Sequence, residues 1–242
     1  MPKLVLFDID GTLVLTGGAG LRAMNRAFDE IVGAPTGLTG AASTEALNGI
    51  PVAGRTDWII VQDTLARLGR QLDDDLLGRL RERYVTHLRE EIEQPGKGFN
   101  GALPGVSALL DALHPREEVF LGLLTGNFRD GARIKLERFD LWRYFRCGAF
   151  GDDSPDRNAL VPVALERATA CGMPLFAPAD VIVVGDTPHD VACAQAVGAV
   201  PVGVATGGFT ADQLRACGAA VVFETLEDTD GFARLLGSGR ES

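Results

Sequence analysis

Short apolar runs alternate with helical patterns along much of this chain. The first run, residues 3–7, reads K-L-V-L-F and is typical of a strand buried on both faces. Beyond Pro104, further strands are predicted at 119–124, 147–150, 181–184, 201–205 and 221–223. Helical patterns separate them at 106–113, 130–139, 158–170, 191–197 and 211–216. This alternation predicts a parallel sheet with helices on both faces.

The block before Pro104 has a helical pattern instead. Helices are predicted at 21–32, 57–68 and 73–93, with a Gly/Pro/Thr-rich loop at 33–39. In the third helix, apolar residues recur every four positions and predict a packed face: Leu76, Leu80, Tyr84, Leu88 and Ile92. Glycine-rich linkers at 13–20 and 94–105 bracket the block, and nothing between 15 and 93 predicts a strand. We therefore expect a helical lid that can rock against the rest of the protein.

Composition and charge narrow the class of protein. The chain has 242 residues, 46% of them hydrophobic, which suits a globular protein with one large core or a core and a smaller unit. Its formal net charge of −10 disfavours nucleic acids and anionic membranes as partners. An anionic substrate would be repelled too, unless a metal ion and a few cationic side chains reverse the field locally. No feature implies a protein partner.

The cysteines and the apolar runs indicate the cellular compartment of the protein. The four cysteines are scattered, with no C-x-x-C pair: Cys147, Cys171, Cys193 and Cys217. This spacing argues against a zinc site or a disulfide framework and suits a reducing compartment. Asp8 breaks the first apolar run, so no secretory leader is predicted, and no run approaches the roughly 20 residues of a membrane span. We expect a cytoplasmic protein.

Three of the predicted strands end in polar clusters. D-I-D-G-T begins at Asp8, T-G-N at Thr125 and G-D-T-P-H-D at Gly185. In a parallel sheet all three would meet at one edge, where open α/β sheets bind ligands. Asp8 and Asp10 are close enough to repel each other, so a nearby cation or a raised pKa is needed. Each cluster alone is also a good turn or helix start, but together they predict a metal-assisted reaction.

These three motifs, in this order, resemble those of the haloacid dehalogenase superfamily, most of whose members are magnesium-dependent phosphatases. The resemblance covers nearly the whole chain and implies an α/β fold, a Rossmann-like parallel sheet flanked by helices with a helical cap inserted after the first strand. The catalytic core is then expected at 1–15 and 100–242, and the cap at 16–99. The segment A-G-R-T-D-W at 53–58 resembles part of the helical caps of phosphoglycolate phosphatase-like members, and the chain as a whole resembles the subgroup that contains these and the β-phosphoglucomutase-like members.

The resemblance also implies roles for the first motif. Asp8 would be the nucleophile that forms an aspartyl-phosphate, and Asp10 the acid and base that protonates the leaving alcohol and later deprotonates water. A carboxylate that attacks a phosphate dianion needs a bridging divalent cation, and oxygen ligands suit Mg²⁺. The expected ligands are the side chains of Asp8 and Asp186 and the backbone carbonyl of Asp10.

The second and last motifs would complete the site. Thr125, with the backbone N–H groups of Gly126 and Asn127, would hold the phosphoryl oxygens. Asp190 would lie in the second shell and orient magnesium waters or a basic residue, although it could simply be an exposed carboxylate in the first turn of a helix.

One expected cation departs from the family pattern. Many relatives carry K-P between the second and last motifs, whereas this chain has S-P-D-R-N-A-L-V-P, and no lysine follows Lys135. Arg157 is the best candidate by position, and an arginine can contact a phosphate bidentately. Its alternative role is a charge at the start of a helix.

Arg55, in the predicted cap, is a candidate for contact with the substrate. It could meet an anionic leaving group. In the alternative, Asp57 caps the following helix and Arg55 is solvated, and the sequence favours neither.

The resulting hypothesis is a Mg²⁺-dependent phosphomonoester hydrolase for a small phosphorylated metabolite. A phosphosugar mutase of the same family would use the same aspartates. A phospho-accepting signalling domain also clusters aspartates around Mg²⁺, but such domains are about half this length and lack the helical insert. The substrate is not evident from the sequence.

Overall fold

A central parallel sheet organises the molecule. The computed structural model describes residues 1–33 and 46–237. Eight strands occur in these ranges: β1 (Lys3–Phe7), β2 (Val14–Thr16), β3 (Asn100–Ala102), β4 (Val119–Leu124), β5 (Cys147–Ala149), β6 (Val181–Gly185), β7 (Val200–Val204) and β8 (Val221–Phe223). Six of them pair in the order β5-β4-β1-β6-β7-β8, and every pair is parallel. The predicted sheet is confirmed.

The apolar first strand lies at the middle of this sheet. All five residues of β1 are buried, and β1 pairs with β4 on one side and β6 on the other. Helices cover the sheet, so a strand in this position buries both of its faces. The uncharged run after Lys3 satisfies that requirement.

Nine α-helices occur in the described residues. They are α1 (Ala19–Ile31), α2 (Asp57–Arg67), α3 (Asp74–Glu91), α4 (Val106–Leu113), α5 (Arg129–Glu137), α6 (Leu160–Ala170), α7 (Pro188–Ala196), α8 (Ala211–Ala216) and α9 (Thr229–Gly237). The largest difference from the predicted bounds is at α7, which begins three residues early. Thr187 and Asp190 form a capping box and Pro188 occupies the first turn, which together start the helix there.

The helices α1, α2 and α3 form a separate apolar cluster, and residues 19–33 and 46–92 are here called the helical insert. The predicted stripe on α3 is buried in it: Leu76, Leu80, Tyr84, Leu88 and Ile92. Phe128, from the segment after β4, joins this cluster and meets the Tyr84 ring edge-on at 6.2 Å between centroids. The predicted loop at 33–39 lies outside the described residues from residue 34 onward. The domain division at residues 16 and 99 stays a prediction.

The two glycine-rich linkers contain a pair of short strands, and β2 (Val14–Thr16) extends into the block where no strand was predicted. Val14–Thr16 pairs with Asn100–Ala102 in an antiparallel ladder, and Lys97 N–H donates to the Gly17 carbonyl at 3.1 Å. A side chain on Gly96 would overlap the backbone of Gly17, so only glycine permits this approach. The two connections to the helical insert are therefore tied to each other.

None of the helices in the described ranges combines the length and apolar character needed to cross a membrane.

Two glycines have nearly the same backbone conformation but different surroundings, so their substitution distinguishes the cost of backbone strain from the cost of steric overlap. Gly105 (φ 83°) precedes α4, and a Cβ there would overlap the backbone at Leu226 and Glu227, whereas Gly172 (φ 81°) faces open space. We expect Gly172→Ala to lower the free energy of unfolding by about 1–2 kcal/mol, the cost of the left-handed conformation alone. Gly105→Ala should lower it by about 3 kcal/mol or more, because backbone must also move. Urea unfolding measures both, and equal losses would contradict the packing at Gly105.

Candidate active site

The carboxyl ends of three adjacent strands bring the polar motifs together. Asp8 follows β1, Thr125 follows β4 and Asp186 follows β6, and these strands neighbour one another in the sheet. A cavity of about 460 Å³ opens at this edge. The candidate residues that line it are Asp8, Asp10, Arg55, Gly126, Asn127, Arg157 and Asp186. Thr125 and Asp190 are buried beside them.

Three buried carboxylates lie close together at this edge of the sheet. Asp8, Asp186 and Asp190 each offer an oxygen that lies within 4.8 Å of the others. Burial raises the pKa of Asp8 from 3.8 to about 6, with Arg157 opposing the shift and Asp190 and Asp10 adding to it. Burial raises the pKa of Asp186 to about 8, again with help from Asp8 and Asp190. The repulsion expected between Asp8 and Asp10 is present, and Asp186 and Asp190 add carboxylates that the sequence did not place in it. Together they favour a cation at this point.

Arg157 supplies one positive charge to this cluster. Its Nη2 lies 2.5 Å from Asp190 Oδ1 and 3.1 Å from Asp8 Oδ1, and the side chain is 7% exposed. The two carboxylates raise the pKa of the guanidinium above its usual value, so it stays charged despite its burial. Its Nη1 donates to the Gly54 carbonyl at 3.2 Å, and its buried Nε has no hydrogen-bond partner in the described part of the chain.

The Asp190 side chain accepts hydrogen bonds from Thr187, the N-cap residue of the same helix, α7. Its Oδ2 accepts from the Thr187 backbone N–H at 3.0 Å and from Thr187 Oγ1 at 2.7 Å, while its Oδ1 faces Arg157. Both oxygens are therefore engaged within the protein. This arrangement suits a residue that orients Arg157 better than one that binds a metal directly.

The surroundings of Asp186 suit a small cation. Thr12 Oγ1 donates to Asp186 Oδ1 at 3.3 Å. Cβ atoms at Gly11 and Gly207 would both overlap the Asp186 carboxylate, so the two glycines keep this space free of side chains. Carboxylate oxygens are the donors that Mg²⁺ prefers, and the residues present fit this ion.

A second cation, Lys135 of α5, was not identified from the sequence. Its Nζ lies 2.8 and 2.6 Å from the two carboxylate oxygens of Asp10 and 2.6 Å from Asn127 Oδ1. Lys135 is 5% exposed. The available signal was helical periodicity, because it shares the buried face of α5 with Gly131, Ala132 and Leu136. A lysine on an apolar face needs a buried partner.

The T-G-N motif differs in detail from its expected arrangement. The Asn127 backbone N–H, expected to face a phosphoryl oxygen, instead donates to Thr125 Oγ1 at 3.3 Å. The Asn127 amide Nδ2 donates to Thr125 Oγ1 at 2.7 Å and to Asp10 Oδ2 at 2.8 Å. Asn127 thus links Thr125, Asp10 and Lys135 through its side chain.

Arg55 lines the cavity, but its charge is already paired. Its Nη2 lies 2.6 Å from Asp63 Oδ2, and its Nη1 donates to the Pro51 carbonyl at 3.1 Å. Neither sequence-based alternative describes this state, because Arg55 is part of an ion pair within the helical insert. Its contact with a substrate stays a prediction.

The alternative that Asp57 caps α2 is wrong. Thr56 is the cap, since its Oγ1 accepts from the Ile59 N–H at 3.3 Å. Asp57 instead reaches the T-G-N segment, where its Oδ2 accepts from the Phe128 N–H at 2.8 Å and its own N–H donates to the Gly126 carbonyl at 2.7 Å. These bonds fix the helical insert against the sheet edge.

Comparisons with known proteins show the family and the fold. A family model described as "Hydrolase: haloacid dehalogenase-like hydrolase" matches residues 2–198. The phosphoglycolate phosphatase of Rhodospirillum rubrum is 34% identical over 239 residues, 96% of this chain and 92% of that protein. That of Cereibacter sphaeroides is 32% identical over 201 residues, 80% and 81% of the two chains. A solved hydrolase from Pseudomonas syringae shares the fold, with a TM-score of 0.65, 23% identity and coverage of 97% and 98%.

Asp57 gives the stability of the protein a pH dependence. Burial raises the pKa of this partly buried carboxyl from 3.8 to about 6, with Lys135 opposing. A carboxyl whose pKa is raised by folding destabilises the protein when it is ionised. The loss of folding stability therefore develops between about pH 4 and pH 6 and stays constant at higher pH. Asp57→Asn keeps an acceptor for Phe128 N–H and cannot ionise.

We therefore compare the free energy of unfolding of Asp57→Asn with that of the unmodified protein. The difference should grow by about 1–2 kcal/mol in favour of the variant as the pH rises from about 4 to about 7. Urea unfolding at the two pH values measures this difference. A difference that is the same at both values, or that changes in the opposite direction, would contradict the environment described for Asp57.

Proposed function

Because this chain belongs to the haloacid dehalogenase-like hydrolase family, we propose that it is a Mg²⁺-dependent phosphatase that hydrolyses a small phosphorylated metabolite through an aspartyl-phosphate on Asp8. The resemblance seen in the motifs is confirmed by the family match. The observation that carries the proposal is the placement of Asp8, a buried carboxylate 3.1 Å from Arg157 that faces Asp186 across the cavity edge. The relatives named phosphoglycolate phosphatase support the reaction class.

In the first step, a carboxylate oxygen of Asp8 attacks phosphorus and the bond from phosphorus to the leaving oxygen breaks. Asp10 donates a proton to that oxygen, which leaves as an alcohol. In the second step, Asp10 takes a proton from water, the water oxygen attacks phosphorus, and the bond to Asp8 breaks to release inorganic phosphate. The Asp10 side chain is 41% exposed, so water can reach it.

The cation balance explains why so acidic a site would accept a phosphate dianion. The side chains of Asp8 and Asp186 and the carbonyl of Asp10 would hold Mg²⁺. When bound, Mg²⁺ would neutralise the attacking carboxylate and the phosphoryl group. Lys135 pairs with Asp10 and Arg157 with Asp8, and the buried Nε of Arg157 leaves one donor for a phosphoryl oxygen.

The remaining motif residues would hold the substrate. Thr125 is fully buried at the end of β4, and Gly126 lines the cavity next to it. We assign the phosphoryl oxygens to the Thr125 hydroxyl and the Gly126 N–H, with Lys135 replacing the contact expected from the Asn127 N–H. Asp190 would position Arg157.

Location in the cytoplasm is part of this proposal. All four cysteines are free thiols, and Cys147 and Cys193 are at least partly buried. Free thiols suit a reducing compartment, where small phosphorylated metabolites are also found.

Asp8→Asn tests the nucleophile. The amide is nearly the same size but is a poor nucleophile and carries no charge, so hydrolysis of phosphomonoesters with Mg²⁺ should fall at least about a thousandfold. Removal of one of three repelling carboxylates should leave the melting temperature in EDTA unchanged or higher. Turnover within tenfold of the unmodified protein would remove Asp8 from this role.

Lys135→Met tests the second cation, with Arg133→Met as a matched control. Both residues lie on α5, but Arg133 is 59% exposed and pairs with Glu137 at the surface. Lys135→Met leaves Asp10 without its cation and removes one of the two cationic side chains assigned to the phosphoryl group, so kcat should fall about a hundredfold or more, with partial recovery in Lys135→Arg. Arg133→Met should stay within about twofold, and equal effects of the two would show that Lys135 acts only through the fold.

A further inference from the structure

One wall of the cavity is apolar. It is built from β2, from α1, from the segment that leads into α2 and from α2 itself. The side chains that form it are Leu15, Leu21, Met24, Leu47, Val52 and Ile60. We propose that the leaving group of the substrate is an apolar, uncharged alkyl or aryl group that packs against this wall. This inference rests on the proposed phosphatase function and specifies the substrate class.

Two of these side chains are more exposed than an apolar residue usually is. Leu21 is 48% and Val52 42% exposed, and only five large apolar residues of the described ranges reach such exposure. Two of the five therefore lie on one cavity wall. Apolar surface that is gathered in a concave site and left in water marks a place where a ligand buries it.

The charges around the cavity also favour an uncharged leaving group. Three cations of the described chain line it, and each has a carboxylate partner: Lys135 with Asp10, Arg157 with Asp8 and Asp190, and Arg55 with Asp63. The first two lie at the phosphoryl end. A carboxylate on the leaving group would have to compete with Asp63 for Arg55.

The residues between the two described ranges cannot supply a further cation. Residues 34–45 read A-P-T-G-L-T-G-A-A-S-T-E and contain no Lys, Arg or His. A carboxylate on the leaving group would therefore be desolvated against aliphatic side chains, with only the already paired Arg55 to compensate. Phosphoglycolate, the substrate in the names of the curated relatives, carries such a carboxylate.

The volume is also larger than a two-carbon acid requires. At about 460 Å³ the cavity falls in the range of roughly 300–1,000 Å³ that encloses drug-sized ligands. The phosphoryl group takes only the end near Asp8. The rest can hold a chain of several carbons or an aromatic ring.

The first test is a series of esters with the unmodified protein and Mg²⁺. Methyl, butyl and hexyl phosphate have similar leaving groups, and phosphoglycolate and glucose 6-phosphate add charge or hydroxyls. We expect kcat/KM to rise about threefold for each added methylene until the wall is covered, and butyl phosphate to exceed phosphoglycolate at least about tenfold. A flat series, or preference for phosphoglycolate, overturns the inference while the phosphatase proposal stands. Absence of hydrolysis for every ester overturns the proposed function and this inference with it.

The second test changes the wall. Leu21→Ser and Val52→Ser should each lower the ratio of kcat/KM for hexyl over methyl phosphate about fivefold to tenfold. Leu175→Ser is the matched control, because Leu175 is 85% exposed and lies outside the cavity lining, and its ratio should not change. An unchanged ratio in both wall variants overturns the inference.

The third test removes the carboxylate that pairs with Arg55. Asp63 does not line the cavity, and Asp63→Asn removes the partner of the guanidinium. The variant should raise kcat/KM for phosphoglycolate about tenfold relative to butyl phosphate, since a free cation then faces the leaving group. No gain for phosphoglycolate would contradict the argument that pairing with Asp63 makes this end of the cavity neutral.

Discussion

The structure depends on the balance of charge around three buried carboxylates. Asp8, Asp186 and Asp190 offer oxygens within 4.8 Å of one another, and burial raises the pKa of Asp8 and Asp186. Arg157 offsets part of this repulsion by facing Asp8 and Asp190. The same repulsion that makes the site costly to fold makes it receptive to a cation, and the proposed chemistry needs that cation at this position.

The helical insert is coupled to this balance through its backbone. The Gly54 carbonyl accepts from Arg157, and Asp57 exchanges hydrogen bonds with Gly126 and Phe128. The segment that carries Val52 and Arg55 is therefore fixed by groups that surround the proposed phosphoryl site. In the proposed function, these direct contacts would link recognition of the leaving group to the state of the carboxylates.

Much of this organisation could be predicted from the sequence. The parallel sheet follows from uncharged strands, and the motifs at Asp8, Thr125 and Asp186 meet because adjacent parallel strands end at one edge. Lys135 was missed because a side chain on a helix can be assigned to a partner only when the packing of that helix is known. The three-residue strands β2 and β3 carry too little local signal, and their pairing depends on the close approach of Gly17 and Gly96.

The covalent role of Asp8 is tested most directly by trapping the phosphoryl group. Asp10→Asn should slow release of the intermediate but not its formation from an aryl phosphate, whose leaving group needs little protonation. Mixed rapidly with such an ester and Mg²⁺, the variant should release a burst of phenol approaching one equivalent, and acid quenching followed by peptide mass spectrometry should locate the phosphoryl group on Asp8. Phenol and inorganic phosphate that appear together without a burst, or a phosphoryl group on another residue, would contradict the account.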